Sequence, residues 1–150
     1  MTRRYLFLAL IASMLAGPLA AQAGYDPAPD PVRTLRNANG LTIKMLLEAA
    51  DLGGTELEIG EITFPPGPVP MRGHRHGAVE IFYVLEGELE HILNGTPHRL
   101  GPGMVGVVRP GDEVIHGVVS ATPVKALVIW TPGGEADRIA PGFTVQPPDR

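Results

Sequence analysis

Three histidines and one glutamate in this chain have the types and spacing of a metal site: His74-x-His76-x3-Glu80 and, further on, a lone His116 after Pro110-Gly111. Three imidazoles and a carboxylate suit Fe(II), Mn(II), Ni(II), Cu(II) or Zn(II), so the set calls for one divalent transition metal without choosing among them. It leaves one or two coordination positions for water, dioxygen or a bidentate substrate, the makings of a Lewis acid or oxygen-activating centre. Glu80 has a second role open to it, as a catalytic base.

The elements that must position these groups read as short strands. Glycine and proline number 19 and 16 in 150 residues, and they punctuate apolar runs at close intervals, the pattern of an all-β sandwich or barrel. The runs are Leu41 to Leu47, Glu56 to Phe64, Val79 to Leu85, Glu88 to Leu93, Met104 to Val108, Val114 to Val119 and Val124 to Thr131. Turns fall between them at Gly53-Gly54, Pro65-Pro66-Gly67, Glu86-Gly87, Asn94-Gly95, Gly101-Pro102-Gly103, Pro110-Gly111 and Thr122-Pro123. Leu46 to Leu52 has the pattern of a helical turn, and no longer helix is expected.

Side chains on a strand alternate faces, and positions 74, 76 and 80 share parity, so all three can point into one barrel unless a bulge at Gly77 shifts the register. Glu80 lies within Val79-Glu80-Ile81-Phe82-Tyr83-Val84-Leu85, a run apolar on both faces that reads as a strand buried on both. A carboxylate there is costly unless something positive meets it. A metal ion would serve, and so would Arg72 or Arg99. His116 sits in a second apolar run and needs a partner too.

Other candidates are thinner. In Gly87-x-Leu89-x-His91-x-Leu93 the alternation turns His91 inward, either as an acid-base group beside the metal or as a core histidine bonded to backbone. Tyr83, Trp130 and Met104 are candidates for the cavity wall or for plain core. His98 follows Pro97 in what reads as an exposed turn. No serine or threonine shows a motif that places it beside a base, so nucleophilic hydrolysis has no support. Gly101-Pro102-Gly103-Met104-Val105-Gly106 matches a dinucleotide glycine pattern but is followed by a β-run instead of a helix. Asn94-Gly95-Thr96 matches a glycosylation acceptor, and Asn94-Gly95 is better explained as a hairpin turn.

At the start, Thr2-Arg3-Arg4 precedes the apolar run Tyr5 to Leu15 and then Ala21-Gln22-Ala23, the pattern of a cleaved signal peptide spanning 1–23. Export to the periplasm or outside the cell, with cleavage after Ala23, is the expectation. The apolar core is shorter than the roughly 20 residues of a spanning helix. Thr2-Arg3-Arg4-Tyr5-Leu6-Phe7 is compatible with ordinary secretion or with a degenerate twin-arginine signal. The rest divides into an N-terminal arm at 24–40, a barrel at 41–146 and a tail at 147–150, with proline-rich extended ends at Tyr25 to Pro31 and Pro147 to Arg150. This is one domain's worth of chain. No cysteine is present, so in an oxidising compartment stability must come from packing, metal or a partner subunit. The net charge of -4 with scattered basic residues argues against nucleic acid and anionic membrane surfaces as partners.

Gly73-His74-Arg75-His76-Gly77-Ala78-Val79-Glu80, followed by Gly87, resembles the first motif of the cupin superfamily, and Gly103 to Gly111 ending at His116 is similar to its second. The second motif carries Arg109 where a proline is usual, a turn two residues longer before His116, and Ser120 in place of an asparagine. The resemblance, to a small single-domain, quercetinase-like cupin, covers nearly the whole chain after residue 23. It implies a jelly-roll β-barrel with His74, His76, Glu80 and His116 as ligands of one metal, and a homodimer paired through its sheets. For function it implies a metal-dependent small-molecule enzyme, either an oxygenase or a non-redox isomerase or decarboxylase. Walls with few polar groups suit an apolar or aromatic substrate. A non-catalytic exported module that binds metal or ligand is the alternative, because beyond the ligands no convincing acid-base pair stands out.

Overall fold

A computed structural model describes residues 33–67 and 72–146. The signal segment with its cleavage point, the extended head and the tail lie outside the described residues. The strands are β1 (Arg33–Arg36), β2 (Thr42–Leu47), β3 (Glu58–Phe64), β4 (Val79–Glu86), β5 (Leu89–Leu93), β6 (Thr96–Leu100), β7 (Val105–Val108), β8 (Val114–Val118), β9 (Val124–Thr131) and β10 (Thr144–Gln146). Two short helices, α1 (Ala49–Leu52) and α2 (Glu135–Ile139), and a 3-10 turn at Ala140–Gly142 complete the order. One sheet runs β10-β1-β2-β3-β9-β4-β7 and the other β6-β5-β8, with antiparallel pairing throughout. This is the single-domain, all-β jelly-roll barrel that the resemblance implies and that the turn rhythm permits.

Strict alternation builds the inner wall. On β3, Glu58, Gly60, Ile62 and Phe64 are buried while the residues between them are half-exposed. On β9, Val124, Ala126, Val128 and Trp130 face inward. Gly60 is where strands β2 and β9 crowd the wall: a Cβ would lie 2.9 Å from Ile43 Cγ2 and 3.3 Å from Val128 Cγ1, so the inward position between them takes no side chain. The expected Asn94-Gly95 hairpin joins β5 to β6 with both residues at positive φ, 49° and 81°, the conformation a two-residue hairpin of this twist needs.

All seven apolar runs are strands, and the expected helical turn is α1, capped by a reciprocal Glu48 and Asp51 box and ended by Gly53 in the left-handed region. Besides the 3-10 turn, four elements were not expected. β6 is an exposed edge strand of Thr96-Pro97-His98-Arg99 ending in buried Leu100; its polar residues and proline hide it from apolar periodicity, and pairing with β5 makes it a strand. His98 is exposed as expected, on this strand and not in a turn. β10 is exposed over its whole length, and β1 falls in the stretch read as an arm. Leu35 of β1 is fully buried, so Leu35→Ala is expected to cost about 3 kcal/mol in urea unfolding; a loss under about 0.5 kcal/mol would mean that β1 is not part of the core. The fourth, α2, follows Gly133-Gly134 and has no side-chain cap. The Glu58 carboxylate accepts the Ala136 N–H at 3.0 Å, a tertiary bond that no local pattern announces.

The strand that carries Glu80 is not buried on both faces, as its apolar run predicts. The run around Glu80 is buried on one face only: Glu80, Phe82 and Val84 point in, while Val79, Ile81 and Leu85 are half-exposed and Tyr83 is 41% exposed. The outer face of β4 carries apolar residues without a covering layer among the described residues.

Candidate metal centre

Four elements bring the site together, and the histidine pair is not on the strand that carries Glu80. His74 precedes β4 in a bent segment and bridges to the opposite sheet: its N–H donates to the Val114 carbonyl at 3.0 Å, and the Val114 N–H donates back at 2.9 Å. That pairing seats His74 beside His116, two residues along β8, with ring centroids 5.4 Å apart. The chain then bends at Gly77-Ala78 into β4 of the larger sheet. His76 lies on this crossing, its ring 4.8 Å from that of His74. Glu80 enters from β4, opposite Trp130 of β9. Shared parity is therefore not what makes the ligands converge. The crossing from one sheet to the other does it.

His74, His76 and His116 each offer a ring nitrogen, and these atoms lie within 4.8 Å of one another. Glu80 stands beside them, with Oε2 3.1 Å from His76 Nε2 and 3.5 Å from His116 Nε2. His76 Nε2, Glu80 Oε2 and both ring nitrogens of His116 are buried yet form no well-aligned hydrogen bond. Close spacing without alignment is what atoms aimed at a common point show, since two donors about 2.1 Å from one ion at right angles are about 3.0 Å apart. Buried polar atoms are ordinarily paired, so the orphaned His76 Nε2 and Glu80 Oε2, with one nitrogen of His116, fit a metal ion among them; the other His116 nitrogen faces away from that point and lacks a partner, as do both of His91.

The remaining nitrogens and oxygens are anchored. His74 Nδ1 bonds to the Arg72 carbonyl at 3.2 Å, and Trp130 Nε1–H donates to Glu80 Oε1 at 2.9 Å. His76 Nδ1 lies 2.8 Å from Glu135 Oε1, and Glu135 accepts a 2.8 Å bond from Arg138 Nε and a second from Arg138 Nη2. Glu135, 3% exposed on α2, is a site residue that sequence reading missed: it stands 59 positions from His76 in no recognisable spacing to it.

Burial opposes the charge on Glu80, yet His116 and His76 hold its carboxyl well below the usual range. Burial alone would lower His76, but Glu80 and Glu135 raise it on balance. His74 is lowered by burial and by His116. Glu135 is kept below its ordinary value against burial by Arg138 and His76. Glu80 is thus an anion among imidazoles. Neither arginine weighed as its counter-charge serves: Arg99 pairs with Glu88 at 3.5 Å, and Arg72 lines the cavity mouth without a hydrogen bond to Glu80.

A cavity of about 360 Å³ opens over the cluster. Leu41, Ile43, Ile62, Phe64, Phe82, Trp130, Ile139 and Phe143 form its walls, and Asn37, Asn39 and Arg72 bring polar groups to it. Tyr83 and Met104 lie outside, 41% and 48% exposed, so of the three residues weighed as lining only Trp130 is in place. His91 points inward as expected, but it is no cavity residue. It packs behind His116 at 5.3 Å between centroids and against Phe82, with both ring nitrogens unpaired, so the backbone bond that would make it an ordinary core histidine is absent too. Burial and the nearby His116 push it down to about 4, leaving a neutral ring at neutral pH.

A two-sheet jelly roll with a carboxylate and three histidines that could hold a metal ion between its sheets is a β-barrel with a candidate metal site. Comparison with known proteins points to the cupin superfamily. Residues 60–130, just under half of the chain, match the family model described as the cupin domain. Over 77 residues it is 36% identical to the dimethylsulfoniopropionate lyase DddQ of Ruegeria pomeroyi, a match covering 46% of this chain and 34% of that protein. The chain thus matches about a third of the length of that curated relative. Among solved structures it is similar to ectoine synthase from P. lautus, with a TM-score of 0.59 and 17% identity over 81% of this chain and 84% of that one. It also resembles a predicted oxalate decarboxylase from Thermotoga maritima, with a TM-score of 0.58 and 21% identity over 70% and 96%. An RmlC-like cupin from Shewanella frigidimarina aligns with a TM-score of 0.55 and 22% identity over 69% and 86%. These structural likenesses bear on the fold.

Proposed function

We propose that the chain is a metal-dependent enzyme whose substrate is a small carboxylate with an apolar body, and that its reaction is non-redox, of the lyase or decarboxylase kind. The observation that carries the reading is the set of orphaned ligand atoms on the floor of an apolar cavity with one arginine at its mouth. His74, His76, His116 and Glu80 would hold the ion. When bound, a divalent ion supplies Lewis-acid polarisation of a carboxylate or carbonyl oxygen.

The residues around it do the rest. Arg72 offers a planar donor pair to a carboxylate, while the aliphatic and aromatic walls take the remainder of the molecule and exclude water. Trp130 fixes Oε1 of Glu80 and leaves Oε2 toward the cluster. Held anionic by two imidazoles, Glu80 is better suited to ligation than to accepting a proton. The curated relative supports the lyase class, since it acts, by its name, on a propionate. A cavity of this size lies at the small end of ligand sites.

The described cavity wall holds no acid-base group outside the cluster, Arg72 being a permanent cation, and this favours a second reading, a non-catalytic module that binds metal or ligand. The deciding experiment is elemental analysis of protein purified from its native compartment, followed by turnover assays under air and under argon. The panel is dimethylsulfoniopropionate, oxalate, other small carboxylates, flavonols and catechols. Turnover of a small carboxylate under argon, either by elimination of a leaving group or by release of CO2, supports the proposal. Oxygen uptake with flavonols overturns it in favour of an oxygenase, and tightly held metal without turnover favours the binding module. Export and a homodimer belong to the same proposal; N-terminal sequencing that finds Met1, or sedimentation as a monomer, would remove one or the other.

A further inference from the structure

We infer that Glu135 is a positioning residue of the metal centre, holding His76 by its Nδ1–H so that Nε2 faces the ion, and that through it α2 couples the metal to the cavity wall. The inference rests on the metal-binding reading above. Imidazole has two nitrogens, and a neutral ring carries its proton on one of them. A carboxylate is an acceptor only, so Glu135 Oε1 at 2.8 Å from Nδ1 selects the Nδ1–H tautomer and leaves the lone pair on Nε2. That atom is one of the orphaned atoms of the cluster, 3.1 Å from Glu80 Oε2.

An i,i+3 pair between Glu135 and Arg138 could be a simple surface bridge. Two observations exceed that. Glu135 is 3% exposed while the Arg138 side chain is 47% exposed, so the carboxylate has been carried inward from the helix surface to meet His76. Arg138 also donates to the Arg75 carbonyl at 3.1 Å, tying α2 to the backbone between the two histidines. On its other side α2 is tied to β3 by the bond from Ala136 N–H to Glu58. The same segment runs on into Ile139 and Phe143, both in the cavity wall. A five-residue helix with no side-chain cap is thus held by the metal-site segment on one face and by the sheet on the other.

The test is cobalt(II) affinity of the full chain, stripped of metal and titrated in competition with a chromophoric chelator, with the visible spectrum of the bound cobalt recorded. Groups that orient a ligand are worth about 10- to 100-fold in metal affinity. Glu135→Gln is expected to weaken cobalt binding by that factor and to shift the spectrum, and Glu135→Asp to recover part of the loss. Arg138→Gln, at an exposed position, is expected to lose a smaller factor and serves as the readout if Glu135→Gln does not fold. Wild-type affinity and spectrum in a folded Glu135→Gln protein, or in Arg138→Gln where the first variant is unfolded, would overturn the inference alone. Failure of the wild-type chain to bind cobalt or any other divalent metal would overturn the metal-binding reading and this inference with it.

Discussion

Replacing His116 by alanine is expected to abolish stoichiometric metal in the purified protein, with affinity falling by well over a hundredfold. Residues that only orient a ligand cost about 10- to 100-fold when lost, and His116 stands in the cluster itself. It is 3% exposed on β8, its Nε2 lies 3.5 Å from the Glu80 carboxylate, and neither ring nitrogen has a hydrogen-bond partner. Truncation also opens space against Phe64 and Phe82, whose rings lie 5.7 Å and 4.7 Å from the imidazole. Removing two unpaired polar atoms offsets part of that cavity cost, so the variant is expected to fold. Metal per chain by elemental analysis is the measurement, with the circular dichroism spectrum as the folding control. Full retention of metal would take His116 out of the site.

Stripping the metal should have the second largest effect. An ion that binds only the folded chain stabilises it by mass action, about 4 kcal/mol when free metal exceeds Kd a thousandfold. For a domain of this size that corresponds to roughly 10–20 °C in melting temperature. Chelation followed by dialysis should therefore lower the melting temperature, and adding back one equivalent of the native metal should restore it. Identical melting curves with and without chelator would mean that no metal contributes to the fold.

The strands legible beforehand were those with an apolar inner face. β3 and β9 alternate strictly, and β4 and β5 carry enough apolar residues to stand out. β6 and β10 did not stand out, because an exposed edge strand is defined mainly by its hydrogen-bonding neighbour and not by its own side chains: Thr96 to Arg99 and Thr144 to Gln146 are all exposed. α2 escaped for a related reason. Helices of five residues are unstable by themselves, and this one exists through Glu58, His76 and the backbone of Arg75.

Ligand types were set in the sequence, because an imidazole or a carboxylate brings its coordination chemistry wherever the chain places it. His74, His76, Glu80 and His116 therefore pointed to a transition metal, and the glycine and proline turns pointed to a β-barrel. Only the tertiary structure decided how the four meet. His74 pairs with Val114 of the small sheet while Glu80 lies on the large one, so convergence depends on a chain crossing whose register is set by contacts far apart in sequence. The orientation of His76 likewise depends on Glu135, and the withdrawal of His91 behind His116 on the pairing of β5 with β8. Such contacts are properties of packing between elements, and one-dimensional spacing carries no record of them.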